Sequence, residues 1–258
     1  GYFSFNYKNN PFLADQVVRE AIAHTVDREA LVNIAIQGGG VPMYSPISPV
    51  FANMVEGAAT FPAFDIEAAK ALLENAGYVD TNGDGVREKD GKDMAFTLTC
   101  RNNTNNIDAI ANIFKANCAE AGIAINLSIV EPATYTEIVT KGKTYEIYYI
   151  EWGVIDDVDT SLDAIYYSGA TLNFMQYKND TIDKILMDVK LEPSFEKRRE
   201  MMLEFQNLFV KELPTVNVFV RVNAYGYSKQ NFEGWGATPG LYGLCDAKNL
   251  VQVGEIKK

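Results

Sequence analysis

The chain has 258 residues and a formal net charge of −11, with a sequence pI near 4.7, so nucleic acid and anionic membrane surfaces are excluded as charge-driven partners. Apolar residues make up 47% of it, with 14 Phe and 14 Tyr, which supplies a packed core for one large or two small domains and rules out global disorder. Cys100, Cys118 and Cys245 form neither a complete disulfide framework nor a zinc spacing and read as buried thiols.

No apolar run reaches the ~18 residues of a membrane span. No secretory leader is visible either. The opening Gly1-Tyr2-Phe3-Ser4-Phe5-Asn6 reads as a half-buried strand already inside a fold, as expected of a piece of a longer protein. After the Asn10-Pro11-Phe12 turn, the spacing of Val18, Ala21, Ile22 and Val26 predicts a helix over 14–26. Asp27 is placed to cap a second helix over 28–37, which Gly38-Gly39-Gly40 ends.

Residues 41–62, with Pro42, Pro46, Pro49 and Pro62, read as one long loop, a length that often carries function. Asp65 caps a helix whose face carries Ile66, Ala69, Leu72 and Leu73, closed by Gly77. The run Asp80-Thr81-Asn82-Gly83-Asp84-Gly85 imitates the first half of an EF-hand loop, with ligand spacing at Asp80, Asn82 and Asp84. Its twelfth position is Gly91 where a bidentate glutamate is required, and a tight polar hairpin explains the same residues.

From Ala95 a regular rhythm begins: strand 95–101, helix 107–121, strand 123–130, short helix 133–140 and strand 145–151. Strand–helix–strand alternation with short connections means βαβ units, hence an α/β fold with a largely parallel sheet flanked by helices. Helices follow near 161–167, 181–190 and 195–211, then a strand over 216–222 and an aperiodic Gly- and Tyr-rich tail.

The strand at 145–151 runs into Trp152-Gly153 and then an acidic loop with Asp156, Asp157 and Asp159. Ligands of open α/β sheets sit beyond the carboxyl ends of the strands, so this stretch is the best candidate site. Backbone groups of Glu151 to Gly153 suit an extended ligand. Trp152 offers an apolar or cation–π face, or packs in the core. Asp156 or Asp157 would anchor a cation, although three aspartates in one loop also make a solvated turn, and Asp159 can cap the next helix. Asn103 to Asn106 sit at another carboxyl end and either bond a polar ligand or form a helix-start turn. Arg221 faces either a ligand carboxylate or solvent.

No P-loop, complete GxGxxG, GxSxG or HExxH occurs. The one histidine, His24, lies within a charged helix and gives a Ser/His/Asp triad little support. A carboxylate-dependent hydrolase working through the aspartates stays a distant alternative.

Several stretches together resemble the family-5 extracellular solute-binding proteins, the dipeptide, oligopeptide and nickel receptors of ABC importers. They are Phe3 to Asn6 with Pro11-Phe12 and Val18-Arg19-Glu20-Ala21 through Asp27-Arg28, then Phe64 to Tyr78 with Gly83-Asp84-Gly85-Val86-Arg87. Ala121-Gly122-Ile123, Tyr145-Glu146-Ile147 with Trp152-Gly153, and Lys197-Arg198-Arg199 with Leu213-Pro214-Thr215-Val216 complete the match.

The resemblance implies a lobe of the type II periplasmic-binding-protein kind, with no catalysis and no cofactor. Members of the family are about twice as long. On that pattern residues 1–222 are a C-terminal ligand-binding lobe holding both interlobe crossovers, and 223–258 pack on a missing N-terminal lobe. The implied function is capture of a peptide or similar small solute and its delivery to an ABC permease. The implied location is extracytoplasmic, periplasmic or lipid-anchored. In peptide-binding members an aspartate after the Trp motif pairs with the ligand's α-amino group. Alignment on Trp152 puts Ile155 there and Asp156 next to it. A nickel chelate, an oligosaccharide and a sensory module are the other readings.

Overall fold

The computed structural model describes residues 1–153 and 161–222, together with 226, 228, 230, 232–233 and 254–255. Ile155, Asp156, Asp157, Asp159, Cys245 and most of the 223–258 tail lie outside the described residues.

In chain order the first elements are strand β1 (Tyr2–Phe5), helices α1 (Pro11–Ala14), α2 (Gln16–His24) and α3 (Arg28–Ala30), and strand β2 (Gly40–Pro42). Next come α4 (Ala52–Val55), α5 (Ile66–Asn75), the hairpin strands β3 (Glu88–Lys89) and β4 (Lys92–Asp93), and β5 (Ala95–Arg101). Helix α6 (Ile107–Glu120), β6 (Ala124–Val130), α7 (Pro132–Tyr135), β7 (Ile147–Ile150) and α8 (Asp163–Tyr166) follow. The chain continues through α9 (Asp180–Asp188), α10 (Phe195–Glu212), β8 (Thr215–Asn217) and β9 (Phe219–Arg221), and ends with the paired strands β10 (Phe232–Glu233) and β11 (Gly254–Glu255).

The central sheet has the order β6-β5-β7-β1-β8. β5 pairs parallel with β6 and β7, whereas β1 is antiparallel to both β7 and β8. β8 therefore points the same way as β7, and every strand except β1 ends at one edge. The expected α/β fold with a largely parallel sheet is what the chain forms. Burial on β1 differs from the half-exposed strand the sequence suggests: Tyr2, Phe3, Ser4 and Phe5 are all buried. Lying between β7 and β8, the strand is covered on both faces, and Phe3 stacks on Phe114 of α6 with ring centroids 4.1 Å apart. Its polar neighbours are matched: Asn6 Nδ2 donates to the carbonyls of Lys143 and Tyr145, each at 2.9 Å.

Other boundaries shift for local reasons. The expected helix over 14–26 starts earlier, because Asn10 caps α1, and breaks where Asp15 turns extended and caps α2 by accepting from Val17 N at 3.0 Å. Asp27 caps α3 and Asp65 caps α5 as their spacing predicts, accepting from Ala30 N and Ala68 N at 2.9 Å. The chain after α3 and after α7 widens into π-helical turns at Leu31–Ala35 and Thr136–Lys141. The loop over 41–62 contains part of β2 and all of α4. The single strand expected over 216–222 is two, since the chain leaves the central sheet at Val218 and β9 pairs with β2 instead.

The arginines of the Val18-Arg19 and Asp27-Arg28 stretches are structural. Arg19 donates to the carbonyls of Leu13, Ala14 and Glu212. Arg28 is buried, and its fork meets the carbonyls of Met43, Asn217 and Pro62. His24 meets the carbonyl of Ala63 at 2.8 Å, a contact between segments. Cys100 and Cys118 are buried free thiols whose acidity burial suppresses, to a pKa of about 12 in each case.

Candidate functional site

The carboxyl edge of the sheet gathers Arg101 from β5, Ile150 from β7 and Asn217 from β8, with Gly1 at the start of β1. β7 stops at Ile150, one residue short of expectation, and Glu151, Trp152 and Gly153 continue outward from it. Glu151 and Trp152 are half-buried and Gly153 is exposed.

Glu151 and Arg221, both singled out in the sequence, meet as a forked ion pair. Arg221 Nε donates to Oε2 at 2.6 Å and Nη2 to Oε1 at 2.8 Å. Arg221 Nη2 also donates to the carbonyl of Asn105 at 2.8 Å, and Nη1 lies 3.5 Å from Asn106 Oδ1. The Tyr149 hydroxyl adds a third hydrogen bond to Glu151 at 2.8 Å. Burial alone would raise the Glu151 carboxyl, but the Arg221 hydrogen bonds, the Gly1 amino group and Tyr149 outweigh it and hold the pKa below its ordinary value. The same pair raises the pKa of Arg221. The structure thus differs from an Arg221 that faces a ligand carboxylate or solvent: its fork is already filled by Glu151.

Trp152 is anchored on two sides. Its Nε1 donates to the Tyr2 hydroxyl at 2.9 Å, and its ring stacks on Phe174 with centroids 5.9 Å apart. It borders a small aromatic cluster of Tyr2, Tyr135, Tyr145, Tyr148 and Phe174 beneath the edge. One indole face is covered and the residue stays partly exposed, so Trp152 packs against the core without being enclosed by it.

Asn103 is exposed in the turn after β5. Asn105 and Asn106, in the same turn, bind Arg221, and Asn106 takes φ 63° at the start of α6. Asp156 and Asp157 lie outside the described residues. Sequence reasoning missed Tyr2, Tyr149 and Phe174, whose roles depend on pairing across the fold.

The loop at Asp80 is closed by its own backbone. Asp80 accepts from Gly83 N at 2.7 Å and Gly85 N at 2.9 Å, and Asp84 accepts from Val86 N at 2.8 Å. Thr81 N and Oγ1 bind Glu88. Among the described residues no group of three or more His, Cys, Asp or Glu is arranged to hold a metal ion, and no helix is long and apolar enough to cross a membrane.

The model of the bacterial extracellular solute-binding proteins, family 5, middle region, matches residues 1–173. The oligopeptide-binding protein AppA of Bacillus subtilis is 30% identical over 216 residues, covering 81% of this chain and 38% of AppA. The structure of AppA in complex with a nonapeptide superposes with a TM-score of 0.80 at 25% identity, over 99% of this chain and 50% of that one. NikZ of Campylobacter jejuni, solved in complex with Ni(L-His), shares the fold with a TM-score of 0.80 at 21% identity, over 98% of this chain and 51% of NikZ. The chain therefore spans about two fifths of the AppA sequence and about half of the two solved chains. It belongs to the bacterial extracellular solute-binding proteins of family 5.

Proposed function

We propose that this chain is the C-terminal lobe of an ABC-importer receptor, which captures a peptide or similar small solute and hands it to a membrane permease by binding alone. The carrying observation is the convergence at the sheet's carboxyl edge of outgoing Glu151-Trp152-Gly153, the Arg221 crossover and the Asn105–Asn106 turn. This is where ligands of such sheets sit, and Gly153, Asn105 and Asn106 leave polar backbone and amide groups open to one. The name of AppA and the nonapeptide in its structure support peptides as the ligand class.

On this reading residues 1–222 form the lobe and include both crossovers, 223–258 return to a second lobe, and closure is a hinge motion between the two. Glu151, Trp152, Gly153, Asn103 and Asp156 or Asp157 line the ligand side, while Arg221 braces Glu151. The protein works outside the cytoplasmic membrane, in the periplasm or lipid-anchored at the membrane's outer face.

The test is a thermal-shift screen of the complete gene product against peptides, metal chelates and oligosaccharides. A ligand at about 100 times its Kd should stabilise the complete protein by about 2.7 kcal/mol. This chain by itself, with half a cleft, should gain far less. Equal affinity of the two would overturn the two-lobe reading.

A further inference from the structure

Asn82 is the only asparagine of the chain that precedes a glycine. With no Cβ on the following residue, its backbone nitrogen reaches the asparagine carboxamide with little hindrance. Asn82, Gly83 and Asp84 are all exposed, and Gly83 takes φ 80°. Nothing lies within 4 Å of where a Cβ on Gly83 would stand. A thermolabile pair is thus open to water.

The hydrogen bonds of the loop fall on the atoms that an attack by this nitrogen would use. Asp80 Oδ1 accepts from Gly83 N at 2.7 Å, so a carboxylate faces the proton that the nucleophile must lose. Asp84 N donates to Asn82 Oδ1 at 2.8 Å, where negative charge develops as the carboxamide carbon becomes tetrahedral. The ring closed by that bond contains the Gly83 nitrogen, so the carboxamide is folded back toward its attacker. Asn82 Nδ2, the leaving nitrogen, donates to Asp84 Oδ2 at 3.2 Å. Nucleophile, oxyanion and leaving group each have a partner.

We propose that the Asp80 loop promotes deamidation of its own Asn82, which makes the Asn82–Gly83 pair a covalent modification site. The Gly83 nitrogen bonds to Asn82 Cγ while its proton passes to Asp80. The Cγ–Nδ2 bond then breaks, and Nδ2 leaves as ammonia with that proton. Water opens the resulting cyclic imide at either carbonyl, leaving aspartate or isoaspartate at position 82. Either product adds a negative charge between Asp80 and Asp84, and isoaspartate also lengthens the backbone inside the turn. The loop and its hairpin lead into the start of β5, the end of the sheet away from the candidate ligand edge. The change should loosen the loop and leave that edge intact.

The test incubates the complete gene product at mildly alkaline pH, folded and in guanidinium chloride, and follows Asn82 by peptide mapping with isoaspartate detection. Conversion should concentrate at Asn82 and run at least about tenfold faster in the folded protein than in the unfolded one. Asp80→Asn keeps an acceptor for Gly83 N but removes the base, and should bring the folded rate down to the unfolded rate. Equal or slower conversion in the folded wild type would overturn the proposal, because the turn would then only shield the amide. An unchanged rate in Asp80→Asn would overturn it as well. If that variant disrupts the loop, the comparison of folded and unfolded wild type still decides.

Discussion

The Glu151 carboxylate receives both arms of the Arg221 guanidinium, 70 positions further along the chain. The pair ties the end of β7 to β9, a strand of a different sheet, and Arg221 reaches on to the carbonyl of Asn105. Three segments are thereby pinned beside the candidate ligand edge. The side chains are 20% and 26% exposed, between the fully exposed pairs that contribute under about 1 kcal/mol and the buried ones whose disruption costs about 3–5 kcal/mol.

Glu151→Gln should therefore destabilise the chain by about 1–3 kcal/mol at neutral pH. The sign with pH follows from the lowered carboxyl. A carboxyl with a depressed folded pKa stabilises above its unfolded value, about 4.3, and loses that contribution as pH falls through the folded value. Urea unfolding of wild type and variant should differ at pH 7 and converge in acid below the ordinary carboxylate range. A gap that stays constant down to the acid limit would contradict the pair's role.

Much of the scaffold was legible because its signals are local. Asp27 and Asp65 announce helices one residue ahead, and β5 spans Ala95–Arg101 as expected because Gly91 and Asn102 bracket a β-rich run. The Glu151–Arg221 contact was not legible, since no local pattern links residues 70 positions apart. Nor was the break at Val218, where the β-rich run Val216-Asn217-Val218-Phe219-Val220 hides a change of sheet. The Asp15 break was missed because a single acid inside a helical pattern reads as a surface residue until its side chain caps the next amide.

Arg28 provides a second prediction. Burial pushes its guanidinium down to about 10, so it stays charged at neutral pH. It serves carbonyls from three separate segments, at Met43, Pro62 and Asn217. The ammonium of a lysine cannot span that fork, and Arg28→Lys should cost about 2–4 kcal/mol despite keeping the charge. A urea midpoint within about 0.5 kcal/mol of wild type would show that charge alone matters there.

The Asp80 loop leads to a third. Both Asp80 oxygens accept backbone amides, from Gly83 and Gly85, and the twelfth position lacks a carboxylate. Calcium at about 1 mM, the weak end of protein sites, should leave the melting temperature unchanged. Asp80→Ala should lower stability by about 1 kcal/mol through the lost turn bonds. A calcium-dependent rise abolished by Asp80→Ala would instead establish a metal site.

The Trp152–Tyr2 contact gives the last. Trp152 Nε1 donates to Tyr2 Oη at 2.9 Å while its ring stacks on Phe174. Burial, together with the neighbouring Tyr148, raises the Tyr2 hydroxyl well above its ordinary pKa, so it is neutral and accepts this bond throughout the working pH range. Tyr2→Phe and Trp152→Phe should each destabilise by about 1 kcal/mol or more, since each leaves a polar atom without its partner. The double variant should cost less than their sum, with a coupling of about 0.5–1.5 kcal/mol. Additivity within about 0.3 kcal/mol would mean that the indole is held by Phe174 alone. In that case Tyr2→Phe would leave the orientation of Trp152, and with it the shape of the candidate ligand edge, unchanged.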